Sequence, residues 1–289
     1  MKCKNRLPAL LLLLLACGND DSGLTTDAST SDAQGSLLDA VPAPDGKVSI
    51  PCASVGGKPG APNTGPDETE LMIMDGLFEI TTPGMYENIE VHGGIQIKAD
   101  NVTLRNFRVV GGLYGIQLTY GATNVLLEQG EILDANSAGV YGGGFTARCL
   151  DIHDIGGDAF KTTDDTHVEY SWMHHIGTND KAHADGNQTR GGSNHVFRYN
   201  FCDMGVTIPA PYKSNACFIL QETNGVTVDN FVIEDNWLEG GNYTIYCNGG
   251  GTTYVRRNRF GRDYRYGIVT GACTEWTDNV WEDDGTPAP

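Results

Sequence analysis

Two short segments hold most of the side chains able to do acid–base chemistry: Asp158-Ala159-Phe160-Lys161 and His183-Ala184-Asp185-Gly186-Asn187-Gln188. Each sets a carboxylate within a few residues of a nitrogen group, so each can hold a proton and pass it on. If the two segments stack as neighbouring strands, roughly 4.8 Å apart, Asp158 and Asp185 lie about 5 Å from one another. At an effective dielectric of about 20 they then repel by roughly 3 kcal/mol. Three things can offset that repulsion: a bound cation, the nitrogen groups of Lys161 or His183, or one proton shared by the two acids with one pKa raised. Asp164 and Asp165 follow just after Lys161. With Asp158 and Asp185 they make a candidate oxygen-ligand set for a hard cation such as Ca²⁺.

The elements that must position these groups show as a repeat. Short apolar triplets after small residues recur, among them Gly94-Ile95-Gln96-Ile97, Gly115-Ile116-Gln117-Leu118, Ala159-Phe160-Lys161-Thr162 and Cys217-Phe218-Ile219-Leu220. Eight copies, centred on residues 95, 116, 140, 160, 187, 218, 245 and 268, follow at intervals of 20 to 31 residues. That is a solenoid period. Second strands with polar stops follow, as in Val102-Thr103-Leu104-Arg105-Asn106, and they alternate rather than repeat every 3.6 residues. Rungs of short strands without helices between them specify an all-β chain, a parallel β-helix solenoid of about eight rungs.

Because strand neighbours alternate between faces, inward Ile95, Ile116, Val140, Phe160, Phe218, Ile245 and Ile268 imply an outward row. It reads Gln96, Gln117, Tyr141, Lys161, Gln188, Ile219, Tyr246 and Val269. Two residues before the centres, Asp158 and Asp185 are the acids of the turn row. Gln117, Tyr141, Gln188 and Arg190 are therefore candidate ligand contacts, and the aromatics Trp172 and Tyr212 are candidates to stack on sugar rings. His153 and His174 fall at equivalent places and are expected to form a structural stack. Asn106, Asn200, Asn236, Asn258 and Asn279 are expected to form a turn ladder.

Composition restricts the partners. The chain carries 37 acidic against 19 basic residues, a formal charge of -18. Nucleic-acid affinity comes chiefly from Lys and Arg on phosphates, so DNA and RNA are poor partners. Lys2, Lys4 and Arg6 precede the mostly apolar run 7–16, which suits an export signal and is too short to span a bilayer. The sequence Leu14-Leu15-Ala16-Cys17-Gly18 resembles a bacterial lipobox, which implies that Cys17 is lipidated and becomes the mature N-terminus. Residues 1–16 are then a lipoprotein signal, 17–46 a flexible acidic, Ser/Thr-rich tether, 47–90 an N-terminal cap with the first strands, and 91–289 the β-helix. The implied location is outside the cytoplasm, on an outer membrane or cell surface, with membrane contact through the lipid alone and the protein a monomer. Export favours disulfides; Cys202 with Cys217 and Cys247 with Cys273 are the expected pairs, and the pairing of Cys52 and Cys149 stays open.

Residues 90–281, about two-thirds of the chain, resemble the right-handed parallel β-helix proteins of the pectate-lyase-like class, including secreted bacterial members with an H-x-D-G-x-Q arrangement, here His183 to Gln188. The resemblance implies a right-handed helix and a polysaccharide substrate. Enzymes of that class cleave uronate polymers by β-elimination, in which a base removes the C5 proton and a cation neutralises the carboxylate. Carried onto this chain, it implies Lys161 as base, Asp158 and Asp185 as ligands of Ca²⁺ or of the substrate, Gln188 as a positioning donor, and His183 or Arg190 as acid or neutraliser. Two other readings stand beside the lyase. One is a glycoside hydrolase that uses Asp158 and Asp185 as its carboxylate pair. The other is a glycan-binding or surface-structural protein without catalysis.

Overall fold

The computed structural model describes residues 57–67, 70–119 and 121–289, and Cys17, Cys52 and the signal and tether segments lie outside them. The described chain is a parallel β-helix of 24 strands with no helix among the described residues. One sheet has nine strands: Phe78–Ile80, Ile95–Ile97, Tyr114–Leu118, Ala138–Gly142, Asp158–Thr162, Ala184–Thr189, Ser214–Gln221, Tyr243–Asn248 and Gly267–Gly271. Each pairs in parallel with the strand one turn before and one turn after. A fifteen-stranded sheet forms the rest of the wall. Phe78–Ile80 belongs to a turn ahead of the eight read from the repeat, so residues 72–92 already build the helix.

The repeat folds this way because each triplet buries its first and third residues. Ile95, Ile116, Val140, Phe160, Phe218 and Ile245 are buried as expected, and Phe160, Phe197, Phe218 and Phe231 meet at centroid distances of 5.2 to 6.1 Å. Asn187 is the exception. It takes the inward place between Phe160 and Phe218, fully buried, and is satisfied there by Thr162 and Thr189, whose hydroxyls lie 3.1 and 2.8 Å from its amide. In the last turn the register differs from the expected one. Ile245 pairs with Val269 and Tyr246 with Thr270, so the outward row ends on Thr270, not Val269.

The second sheet bends once per turn at a residue with positive φ, a conformation open to few non-glycine residues: Asn106, Gln129, Cys149, Tyr170, Tyr199, Asp235, Arg257 and Asp278, all between 50 and 58°. The next residue in four turns is a buried asparagine. Each Oδ1 of Asn200, Asn236, Asn258 and Asn279 accepts the N–H of the rung before. Each Nδ2 donates to a strand carbonyl, so the bend leaves no amide orphaned. Asn106 is not a member of this ladder. It holds the bend position itself, and its Oδ1 accepts the N–H of Asp67 at 2.7 Å.

The disulfides Cys202–Cys217 and Cys247–Cys273 form as expected, and Cys149 is also disulfide-bonded. Gly186 shows how the first of them shapes the motif. A Cβ at this position would lie 2.6 Å from the Cys202 sulfur and 2.8 Å from the Cys217 carbonyl, so only glycine lets the strand bearing Asp185 and Gln188 pack against the bridge.

Candidate functional site

Adjacent strands bring the two chemistry-bearing segments together. Lys161 pairs in register with Gln188 on one side and with Tyr141 on the other, which fixes the outward row through Gln117, Tyr141, Lys161 and Gln188. The acids sit one layer beneath. Asp158 is 3 % exposed and Asp185 fully buried. Lys161 Nζ lies 3.2 Å from Asp158 Oδ2 and donates to Ser137 Oγ at 3.3 Å. The other oxygen of Asp158 accepts the backbone N–H of Asp185 at 2.9 Å. Asp185 in turn accepts from Asn215 Nδ2 at 3.0 Å and Gln188 Nε2 at 3.5 Å.

Burial sets the electrostatics of this pair. Loss of water raises the Asp158 carboxyl above its ordinary range, against the opposing pull of Lys161. Asp185 is raised well above its ordinary range, first by burial and then by the charge of Asp158. The two acids titrate as one unit, and burial of both charges favours a shared proton over two carboxylates. Tyr246, two strands beyond Gln188, has its hydroxyl pKa raised by burial and then by the charge of Asp185. Lys161, whose side chain is 27 % exposed, reaches from the buried pair to the surface.

Aromatic rings flank the polar centre. Tyr141 stacks on Tyr114 at 4.6 Å, while Tyr246, Tyr243 and Tyr266 group at 5.5 to 5.7 Å. Tyr141 and Tyr246 are four strands apart, about 19 Å at the usual strand spacing. At the edge of the sheet where Asp158 and Asp185 lie is a cleft of about 280 Å³, lined by His183, Tyr212, Lys213, Asn215, Asn242 and Arg265 among others. The segment between Cys202 and Cys217 walls it, and Tyr212 is fixed there by its hydroxyl, which donates to Asp154 Oδ1 at 2.6 Å.

Other expected members lie elsewhere. Arg190 is exposed at the far end of its strand from His183, so the two cannot act on one group. Trp172 belongs to the fifteen-stranded sheet, paired with Asp151 and Phe201 and stacked on His174 at 3.6 Å; it is not on the face that carries Lys161. His153 and His174 stack at 5.0 Å as expected. Asp164 and Asp165 follow the opposite end of the Asp158–Thr162 strand. They serve the turns there: Asp164 Oδ1 accepts from the Ser193 N–H and Asp165 Oδ1 from Asn194 Nδ2, both at 2.9 Å. The four acids therefore do not gather into the ligand set expected for Ca²⁺, and among the described residues no group of three or more His, Cys, Asp or Glu is placed to hold a metal ion. Ser137, Lys213, Arg265 and Asn215 were not legible as site members: the first three reach it from turns that the strand repeat does not describe, and Asn215 from the start of the Ser214–Gln221 strand, ahead of its triplet.

No protein-family model and no curated protein matches the chain. Among solved structures, the chain is similar to an alginate lyase from Paenibacillus sp. str. FPU-7, at 12% identity over 71% of this chain and 90% of that one, with a TM-score of 0.38. It is also similar to the catalytic domain of a GH87 alpha-1,3-glucanase in complex with nigerose, at 10% identity over 84% and 71% of the chains, with a TM-score of 0.38. The catalytic unit of a thermostable GH87 alpha-1,3-glucanase from Streptomyces thermodiastaticus gives 13% identity over 80% and 72%, with a TM-score of 0.34.

Proposed function

We propose that the chain is an exported polysaccharide lyase that cleaves a uronate polymer by β-elimination on the outer face of the nine-stranded sheet. The observation that carries this reading is the layering of the site. Lys161 reaches the surface, while both carboxylates lie beneath it, 3 % and 0 % exposed. A hydrolase would have to present those carboxylates to the sugar, whereas a lyase can take its base from the accessible Lys161. In this reading the base is the Lys161 amine. The C5 proton passes to Nζ, its electrons form the C4–C5 double bond, and the C4–O bond breaks. The departing oxygen then takes the proton from Nζ, which restores the amine. Gln188 and Tyr141, in register on either side of Lys161, orient the ring.

Export through the 1–16 signal and anchoring through Cys17 belong to the same proposal. Disulfides such as Cys202–Cys217 and Cys247–Cys273 are what an oxidising compartment produces. Incubation with pectate, alginate and glycosaminoglycans tests the chemistry: a lyase generates a conjugated double bond that absorbs in the ultraviolet, a hydrolase releases reducing ends without it, and a binding protein does neither.

A further inference from the structure

The cleft beside the acid pair is a positive feature in a strongly acidic protein. Its lining holds His183, Lys213 and Arg265 and no carboxylate, on a chain of formal charge -18. Several arginines are neutralised within the fold, Arg108 by Glu90 and Glu131, Arg198 by Glu169, and Arg257 by Glu234 and Asp235. Arg265 in the cleft is not, and in this it is like the exposed Arg190 and Arg259. Lys213 has Asp180 at 3.7 Å, but that carboxylate is fully solvated on the rim, and among the described residues neither His183 nor Arg265 makes an ion pair. Acids flank the lining without entering it, Asp263 lying behind Gly205. Asp185 lies beneath Asn215, which donates to it, and Asp263 accepts from Thr207.

The cations are also held by built structure. Arg265 is tied by its backbone N–H to the Gly241 carbonyl at 2.9 Å, and the Lys213 carbonyl accepts from Ala184 at 3.3 Å, at the start of the strand that carries Asp185 and Gln188. The Cys202–Cys217 bridge and the Tyr212–Asp154 bond close the wall that presents Lys213. At the floor, Asn242 Nδ2 donates to Asn215 Oδ1 at 2.9 Å, which leaves Asn242 Oδ1 without a partner. Asn215 thus joins the cleft floor to Asp185, and Asn215 and Asn242 stand two to three strand spacings, about 10 to 14 Å, along the helix axis from the strand that carries Lys161.

We infer that this cleft is an anion subsite, built to take the carboxylate of a uronate unit other than the one cleaved. An arginine fork with a lysine and a histidine beside it matches a planar carboxylate better than a neutral hydroxyl. The subsite selects acidic over neutral polymers and sets the register of the chain over Lys161. The inference rests on the sugar-binding reading of the face, yet it concerns binding and not turnover.

The test is calorimetric titration of the full chain with oligogalacturonate and oligomannuronate, with their carboxyl-reduced neutral counterparts, and with a sulfated oligosaccharide. The account predicts that Arg265→Ala weakens oligouronate binding at least tenfold, that Arg265→Lys restores part of it, and that neither changes the weak binding of the neutral counterparts. Arg265 is exposed, so both variants should melt as the parent does, and the melting curve checks that. Equal affinity for acidic and neutral oligosaccharides, unchanged binding by Arg265→Ala, or preference for the sulfated ligand would overturn the inference. Oligouronate bound but never cleaved would sink the lyase reading and leave the subsite standing. Cleavage with normal affinity in Arg265→Ala would do the reverse.

Discussion

At the residue scale the site has two layers, a partly exposed Lys161 over the buried Asp158 and Asp185, and they should respond differently to substitution. Lys161→Ala should lower turnover of a uronate polymer by about 10²- to 10⁴-fold, the usual contribution of a positioned base. Its melting temperature should stay near that of the parent, because a partly exposed side chain of this kind is worth little to the fold. Asp185→Asn should act on stability as a function of pH. Asp185 has its folded pKa raised, so the folded state holds the proton more tightly than the unfolded chain does. The parent is therefore penalised as pH rises from the ordinary carboxylate range through the raised value. The stability of Asp185→Asn relative to the parent should grow between pH 4 and 8 in urea titrations; a constant difference would contradict the buried pair. Lys161 was one of the offsets to the acid pair open to the sequence, but strand alternation puts residues three apart on opposite faces, so that the lysine reaches back to Asp158 at 3.2 Å is seen only in the structure. The burial of the acids was not legible either, since it depends on Asn215, thirty residues along in an insertion.

At the element scale, the insertion between Cys202 and Cys217 and the stacked ladders hold the face in shape. Replacing Cys217 by Ala should cost about 3 kcal/mol, as expected for a loop of this length, and should loosen the cleft wall, read as faster amide exchange in residues 205–215. On the second sheet, burial works against a charge on His153, but hydrogen bonds to Glu131 and Asp154 prevail and raise its pKa to about 9. The bond to His153, helped by Arg108 against burial, lowers Glu131 to about 2. The His153 contribution is complete below about pH 6.5 and is lost as pH rises through 9. That of Glu131 is complete above about pH 4.5 and is lost as pH falls towards 2. His153→Gln should therefore flatten the alkaline limb of the stability curve measured by thermal melting between pH 6 and 10, while a limb unchanged by the substitution would remove His153 from that role. The inward apolar triplets made most of this framework legible. Phe78–Ile80 escaped notice because Leu77, and not a small residue, precedes it. The last turn shifted by one residue because no following strand of its sheet fixes its register. Trp172 was misplaced because the repeat records spacing along the chain and not which sheet a second strand joins.

At the scale of the whole molecule, the solenoid turns a sequence repeat into a long outer face, and a cleft lined by His183, Lys213 and Arg265 stands against the excess negative charge. Anchoring is a property of this scale too. Exchange of Cys17 for Ser should release the protein from the membrane fraction into the soluble one, whereas a fraction that stays membrane-bound would argue against the lipid. The central claim is that an exposed Lys161 over a buried acid pair performs β-elimination. Its most direct test is ultraviolet absorbance at the conjugated double bond while purified chain acts on uronate polymers, run beside Lys161→Ala and a reducing-end assay. Absorbance should rise with the parent and about 10²- to 10⁴-fold more slowly with Lys161→Ala. Reducing ends released without absorbance, or a rate unchanged in Lys161→Ala, would contradict the claim.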